Sequence, residues 1–387
     1  MKKIFIIILS HLLISFNTFV FAVEKHDEKF LKIGILAPFT GELKGIGEEI
    51  LYSVNLALHD INDPSIKIYP KDSGSKNEKI IQACEEFQNE EIKIIIGPVD
   101  STTNNELNNY ENLIFLSLSN IDSGIKKNVV MMGINLESQL LAIKQFLKKQ
   151  KKNKTVILYP KNEYSKHVEK NVKLVSFNNP KIFKYDQDPK KLTKQIEKIT
   201  NYKQRKTNLE ARIKKLEKSE KPKDIRELNM LKQKYTLGKI NFDSVIIIDF
   251  GDSLKSVLTS LAYTDVSGKD ILIITGNQWF DDTILEETSI KNFFFPSINL
   301  KNFNKFNETF YEIYKYKPNE ITILAYDSVG LIYYLWNNSG GIKSVNNFNF
   351  KTEIKGKIGK FIISENKVIQ KLDIYKLEEG NFIRNKL

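Results

Sequence analysis

Phe30-Leu-Lys-Ile-Gly-Ile-Leu36, closed by Ala37-Pro38, is the stretch on which the reading of the chain turns. A short β-branched run stopped by proline has the signature of a buried strand. Gly41, Gly45 and Gly47 follow as a turn. Ile46, Ile50, Val54, Leu58 and Ile61 then fall on one stripe of a helix. Strand, glycine turn and amphipathic helix make the first half of a β-α-β unit, and the rest of the chain repeats the unit.

Further strands are expected at Ile66–Tyr69, Ile92–Ile96 and Ile114–Leu118, with helices at Glu78–Gln88 and Leu136–Gln150. A second cycle places strands at Thr155–Tyr159, Lys181–Tyr185, Val245–Asp249, Ile271–Thr275 and Phe293–Pro296. Its helices are Tyr164–Lys173, Pro189–Tyr202 and Ser253–Ala262. Helices at Phe303–Tyr314 and Glu320–Trp336 and a β ribbon at Gly359–Tyr375 complete the pattern. Repeated β-α-β implies an α/β fold of two doubly wound, mainly parallel sheets with helices on both faces. The expected lobes are residues 31–148 with 297–357, and 149–296 with 358–387, joined at a hinge.

One segment breaks the alternation. Residues 203–239 hold 13 Lys/Arg against 5 Asp/Glu, a net +8. Leu209, Ile213 and Leu216, then Ile225, Leu228 and Leu231, with Pro222 between the sets, fit two short antiparallel helices inserted in the second lobe. Such a hairpin is either a solvated surface pair or a docking arm for an acidic partner.

Composition narrows the function. The 387 residues are 41% apolar, which suffices for two cores, and carry a net charge of +12. Lys2 and Lys3 open a basic start, Ile4–Ile14 is an apolar core, and Val20-Phe-Ala22 ends in a small residue. Residues 1–22 therefore read as a cleaved signal peptide, and the mature chain as periplasmic. Removing the two lysines leaves 57 − 47 = +10, of which the insert supplies +8. With basic charge confined to one insert and no groove-reading motif, nucleic acid is not an expected partner. One cysteine and four histidines exclude a disulfide framework or a zinc ribbon.

Gly45-Ile-Gly47-Glu-Glu-Ile50 mimics a dinucleotide loop, with Asp72 as a candidate ribose ligand, but Ile50 stands where a third glycine is needed. No cofactor or metal is expected. In open α/β sheets, ligands sit at the carboxyl ends of strands. The loops there are Pro38–Gly41, Gly97–Thr102, Ser117–Asn120, Asn162–Ser165, Asp249–Asp252 and Gly276–Trp279. They are rich in hydroxyls and amides and hold no histidine; Ser101 and Ser119 lack a nearby base. That lining suits a small polar ligand held between lobes rather than bond-breaking, so no enzyme activity is expected. The candidate ligand residues are Ser101, Thr102, Ser119, Asn120, Tyr164, Phe250, Asp252 and Trp279.

Lys32–Gly41, Asp72-Ser-Gly74, Ile94-Ile-Ile-Gly-Pro98 and Leu324-Ala-Tyr-Asp-Ser-Val329 together resemble the type I periplasmic binding proteins, above all the leucine/isoleucine/valine-binding proteins of ABC importers. Gly133–Gln139, the charged insert, Phe242–Val245, Leu261–Val266 and Gly276–Asp282 resemble the penicillin-binding protein activator branch of the same superfamily. The first likeness implies an amino-acid-like ligand and an ABC permease as partner. The second implies regulation of a peptidoglycan synthase. Either way the membrane is met only through partners. The resemblance implies that Ser101 matches the serine after Gly-Pro, and that Ser119 and Asn120 match a small loop holding an amino acid's carboxylate and amine. Tyr164 matches the tyrosine of the second lobe's first loop, and Phe250 to Asp252 occupy a Tyr/Gly-rich loop. Trp279 lies near where amino-acid binders place a glutamate for the ammonium; here that acid is missing, with Asp281 and Asp282 nearby. A buried ammonium needs a carboxylate, so Asp100, Asp249 or Asp252 would have to serve.

Overall fold

The computed structural model describes residues 30–99, 106–121, 127–268, 271–277, 293–338, 340–378 and 381–385. The expected signal peptide lies outside them. No helix among the described residues is long and apolar enough to cross a membrane.

The chain begins with β1 (Leu31–Ala37), α1 (Lys44–Ile61), β2 (Ile66–Asp72), α2 (Asn77–Asn89), β3 (Ile94–Ile96), β4 (Ile114–Ser117), β5 (Val129–Met131) and α3 (Leu136–Lys149). Next come β6 (Thr155–Pro160), α4 (Ser165–Val175), β7 (Lys181–Tyr185), α5 (Pro189–Ile199), α6 (Tyr202–Leu216) and α7 (Pro222–Leu231). β8 (Ser244–Ile247), α8 (Gly251–Tyr263), β9 (Leu272–Thr275) and β10 (Phe294–Ser297) complete the second cycle. The last elements are α9 (Leu300–Tyr314), α10 (Thr322–Asn338), β11 (Phe350–Lys355), β12 (Lys360–Ser364), β13 (Lys367–Lys371), β14 (Asp373–Glu378) and β15 (Asn381–Arg384).

Two sheets result. The first runs β11-β12-β13-β5-β4-β3-β1-β2 and the second β15-β14-β10-β9-β8-β6-β7. From β5 to β2, and from β10 to β7, all neighbours are parallel. Antiparallel strands close one edge of each sheet. The central parallel strands are covered on both faces, which explains why they read as continuous apolar runs rather than alternating ones.

Two boundaries differ from the expected lobes. Helix α3 packs Leu140, Ile143 and Phe146 into a core with Ile157, Ile246 and Ile274 of the second sheet, so the chain crosses at 132–135 rather than at 148. The C-terminal ribbon is not one piece. β12 and β13 extend the first sheet, and only β14 and β15 join the second, which moves the boundary at 357 to Leu372. A further crossing falls between β10 and α9. The first and last crossings are tied together: Asn135 donates to the Val368 carbonyl at 2.6 Å, the Gln370 amide donates to Ser138 Oγ at 3.0 Å, and Lys367 pairs with Glu137.

The loop after β1 is organised by Asp72. Its carboxylate accepts from the amides of Phe39 and Gly74, each at 2.8 Å, and also pairs with Lys79. Burial opposes ionisation there, but these donors and the Thr40 hydroxyl outweigh it and hold the carboxyl well below its usual range. Asp72 is therefore spent on scaffolding. Gly47 is needed for the same corner, because a Cβ would collide with the Pro38 carbonyl.

The insert forms the expected hairpin. Leu209, Leu216 and Leu231 make a small core of their own, supported by Ile213, Leu228 and Leu237. Arg212 grips Glu227 with two bonds, of 2.8 and 2.7 Å. Ile225, expected to face inward, is 45% exposed. At the base, the buried Arg205 donates to the Thr264 carbonyl at 3.0 Å, which fixes the hairpin to the second lobe, and to the Thr236 hydroxyl of the insert's own end at 2.6 Å.

Candidate functional site

A cavity of about 480 Å³ lies where the carboxyl ends of the two parallel sheets face each other. The first lobe contributes Val99 after β3, Leu118 to Ile121 after β4, and Gly133 and Ile134 after β5. The second contributes Gln139 of α3, Tyr164 after β6, Phe250 after β8 and Asn277 after β9. Glu320, Ile321 and Leu324, where α10 begins, close the remaining side. Larger concavities, of about 1060 and 1180 Å³, lie at the amino ends of β1, β3 and β4 and between α5 and α6. Neither takes residues from both lobes, which is what a hinged binding site requires.

Backbone proximity shapes the first-lobe wall. Gly133 lies against Ser119, whose carbonyl a Cβ would strike, so the loops after β4 and β5 are pressed together there. Ser119 is buried, and its Oγ accepts the Ile121 amide at 3.2 Å. On the other wall, Gln139 joins the lobes. Its Oε1 accepts the Asn277 amide at 3.0 Å and its Nε2 donates to the Ile134 carbonyl at 3.3 Å.

The cavity thus brings together Ser119, Asn120, Tyr164 and Phe250. Asp252 does not line it: its side chain is fully exposed and lies 3.6 Å from Lys255. Ser101, Thr102 and Trp279, with Asp100, Asp281 and Asp282, lie outside the described residues. Asp249 is committed elsewhere, accepting from the Tyr185 hydroxyl and from the Phe250 amide at 2.9 Å. Burial, and then the Asp249 charge, push the Tyr185 phenol far above its usual range.

Three polar lining residues, Gln139, Asn277 and Glu320, are not among the candidates. Gln139 and Asn277 fall inside stretches that carried the family resemblance. Glu320 had no sequence signal beyond its place at the start of an expected helix, and that helix begins two residues later, at Thr322. Burial raises the Glu320 carboxyl above its ordinary value, its own backbone amide partly offsets this, and the nearby Glu49 charge adds to the rise. Glu49 is itself raised by burial, although it accepts the Asn319 amide at 2.7 Å. No lysine, arginine or histidine lines the cavity among the described residues.

Residues 31–177 match the model of a periplasmic binding protein family. Together with two parallel-dominant sheets and a cavity between them, this settles the architecture. The fold is that of a type I periplasmic binding protein.

Solved structures with this fold agree with the chain over nearly its whole length. The branched-chain amino acid binding protein LivJ of Streptococcus pneumoniae, in complex with isoleucine, is 16% identical, covering 92% of this chain and 100% of that one, with a TM-score of 0.52. A solute-binding protein of an ABC transporter from R. palustris, in complex with benzoate, is 15% identical over 92% and 95%, with a TM-score of 0.52. The C-domain of LpoA from Haemophilus influenzae, described as a regulator of PBP1A, is 12% identical over 92% and 99%, with a TM-score of 0.58. No curated protein sequence matches significantly. Solved structures with this fold thus include both solute-binding proteins and a regulator of PBP1A.

Proposed function

We propose that the protein is an exported solute receptor whose two lobes close on a small, polar, amino-acid-like ligand, for delivery to an ABC permease. The observation that carries this reading is the cavity of about 480 Å³ lined from both lobes, in which the amide and hydroxyl groups of Ser119, Asn120, Gln139 and Asn277 and the second-lobe rings of Tyr164 and Phe250 stand among aliphatic side chains. Closure would bring the Tyr164 and Phe250 wall onto the Ser119 and Asn120 wall, with ligand shifting an open–closed equilibrium. Ser101, Thr102 and Trp279 belong to the same proposed ligand set. No covalent chemistry is assigned to any of these groups.

A thermal-shift titration of residues 23–387 with the common amino acids and small peptidoglycan fragments tests the proposal. A saturable rise with an amino acid supports solute reception. A rise only with a muropeptide, or none at all, contradicts it.

One observation favours a second reading, regulation of a peptidoglycan synthase through protein contacts. The hairpin of α6 and α7 projects its own small core, fixed at its base by Arg205, and exposes most of its thirteen cations. Excising it would abolish stimulation of a synthase under this reading and leave ligand response intact under the first.

A further inference from the structure

We infer that the cleft is built for a ligand bearing a positive charge, and that Glu320, from the turn before α10, is its counter-ion. This inference rests on the solute-receptor reading above. Glu320 lines the cavity, is partly buried, and has no hydrogen-bond or ion-pair partner among the described residues other than its own backbone amide. Among the described residues, nothing around it neutralises it. The lining holds no cation among the described residues, and the nearest named charge, Glu49, has the same sign. The lining groups that bond to each other are already occupied: Gln139 by Asn277 and Ile134, and Ser119 Oγ by Ile121. An ionised carboxylate withdrawn from water without a partner is costly, and the cost is removed when a cation arrives with the ligand.

The same geometry argues against a simple anion. A second negative charge in a cavity of about 480 Å³ would face Glu320 across a few ångströms with no described cation between them. The carboxylate also supplies an acid for a ligand ammonium, from a different part of the chain than the Trp279 stretch in which the sequence lacks one. Glu320 is accordingly a specificity-determining residue, separating ammonium-bearing solutes from plain carboxylates such as benzoate.

The test is calorimetric titration of the wild type with the common amino acids, their amides, their N-acetyl derivatives and benzoate, repeated on Glu320→Gln and Glu320→Asp. Binding members should carry a free ammonium, and N-acetylation should weaken them by about thirtyfold or more. Glu320→Gln should show a loss of the same order, with Glu320→Asp intermediate. If N-acetyl derivatives or benzoate bind as tightly as the parent amino acids, or Glu320→Gln retains full affinity, the charge assignment fails while the receptor reading stands. If no compound binds the wild type, both fail. Ligand-free melting supplies a second, independent check. Glu320→Gln should melt above the wild type at neutral pH, with the two converging at about pH 4, where a glutamate is largely protonated. A variant that melts below the wild type would show that Glu320 has a structural partner, and would overturn the assignment.

Discussion

Asp327 and Glu320 lie seven residues apart, one within α10 and one just before it, and their surroundings are opposite. The Asp327 carboxylate is buried and fully engaged, accepting the Lys357 amide at 2.7 Å and the Ile358 amide at 3.0 Å in the turn that joins β11 to β12. Glu320 faces a cavity and, among the described residues, accepts only its own backbone amide. A buried acid that satisfies the chain's own donors is scaffolding. One left without other donors among the described residues, at the meeting of two lobes, is the group proposed to receive a ligand. Asp72 belongs with Asp327, and Asp249 does too.

The contrast breaks most readily at the scaffold end. Asp327→Ala would leave two backbone donors buried without acceptors, and should cost about 3 kcal/mol in urea unfolding. A cost near zero would mean that the 356–359 turn does not depend on Asp327. Gly356→Ala should come next, at about 2 kcal/mol, because the new Cβ would collide with the Asp327 carboxylate. Glu320→Gln should move the other way, gaining on the order of 1 kcal/mol at neutral pH by removing an unpaired charge. Stabilisation on one side of α10 and destabilisation on the other would sharpen the distinction; equal losses would erase it.

The pH dependence of Asp327 follows from its burial, which lifts it from 3.8 to about 6 against the opposing pull of the Ile358 and Lys357 amides. The folded-state value lies above the unfolded one, so this group's contribution is complete below about pH 4 and is lost as pH rises through about 6. Stability of the wild type should carry that decline. Asp327→Asn, though less stable throughout, should show a flatter profile between pH 4 and pH 7 in the same urea titration. The smallest effect is expected for excision of residues 203–239. The hairpin packs mainly on itself, and ligand response at the cleft should not change; a changed response would couple the arm to the cavity.

Much of the fold was legible because its elements carry period and punctuation. The run Leu31–Ala37 is apolar throughout, and Ile50 and Val54 bury the stripe expected of α1. β5, Val129–Met131, is not among the expected strands: the apolar run Val129–Met132 is short and lacks the proline stop that marks the end of β3 at Gly97-Pro98. The division of the C-terminal ribbon was illegible for a different reason. Residues 359–375 alternate well enough to form strands, but which sheet accepts them depends on the distant β5 and β10. Helix α3 was assigned to the first lobe by counting units, whereas its apolar face packs on the second sheet.

The site was legible at the level of loops. Reading ligand positions at strand ends brought out Ser119, Asn120, Tyr164 and Phe250, all of which line the cavity. Asp252 was indistinguishable in sequence from a lining residue, since one position along α8 decides whether a side chain meets the cleft or water. Glu320 could not be found that way, because it comes from a turn rather than a strand end. Asp327 did leave a signal: a lone acid in Ile323–Trp336, an otherwise largely apolar helix, has to find donors somewhere.

In the proposed receptor, the cavity between the lobes is occupied by ligand in the working protein. Thermal titration of the wild type beside Ser119→Trp, whose indole would fill the cavity from the first-lobe wall, tests it directly. An amino-acid ligand at 100 times its Kd should add about 2.7 kcal/mol of stability to the wild type, and nothing to the filled variant. An equal shift in both proteins, or none in the wild type, would contradict it.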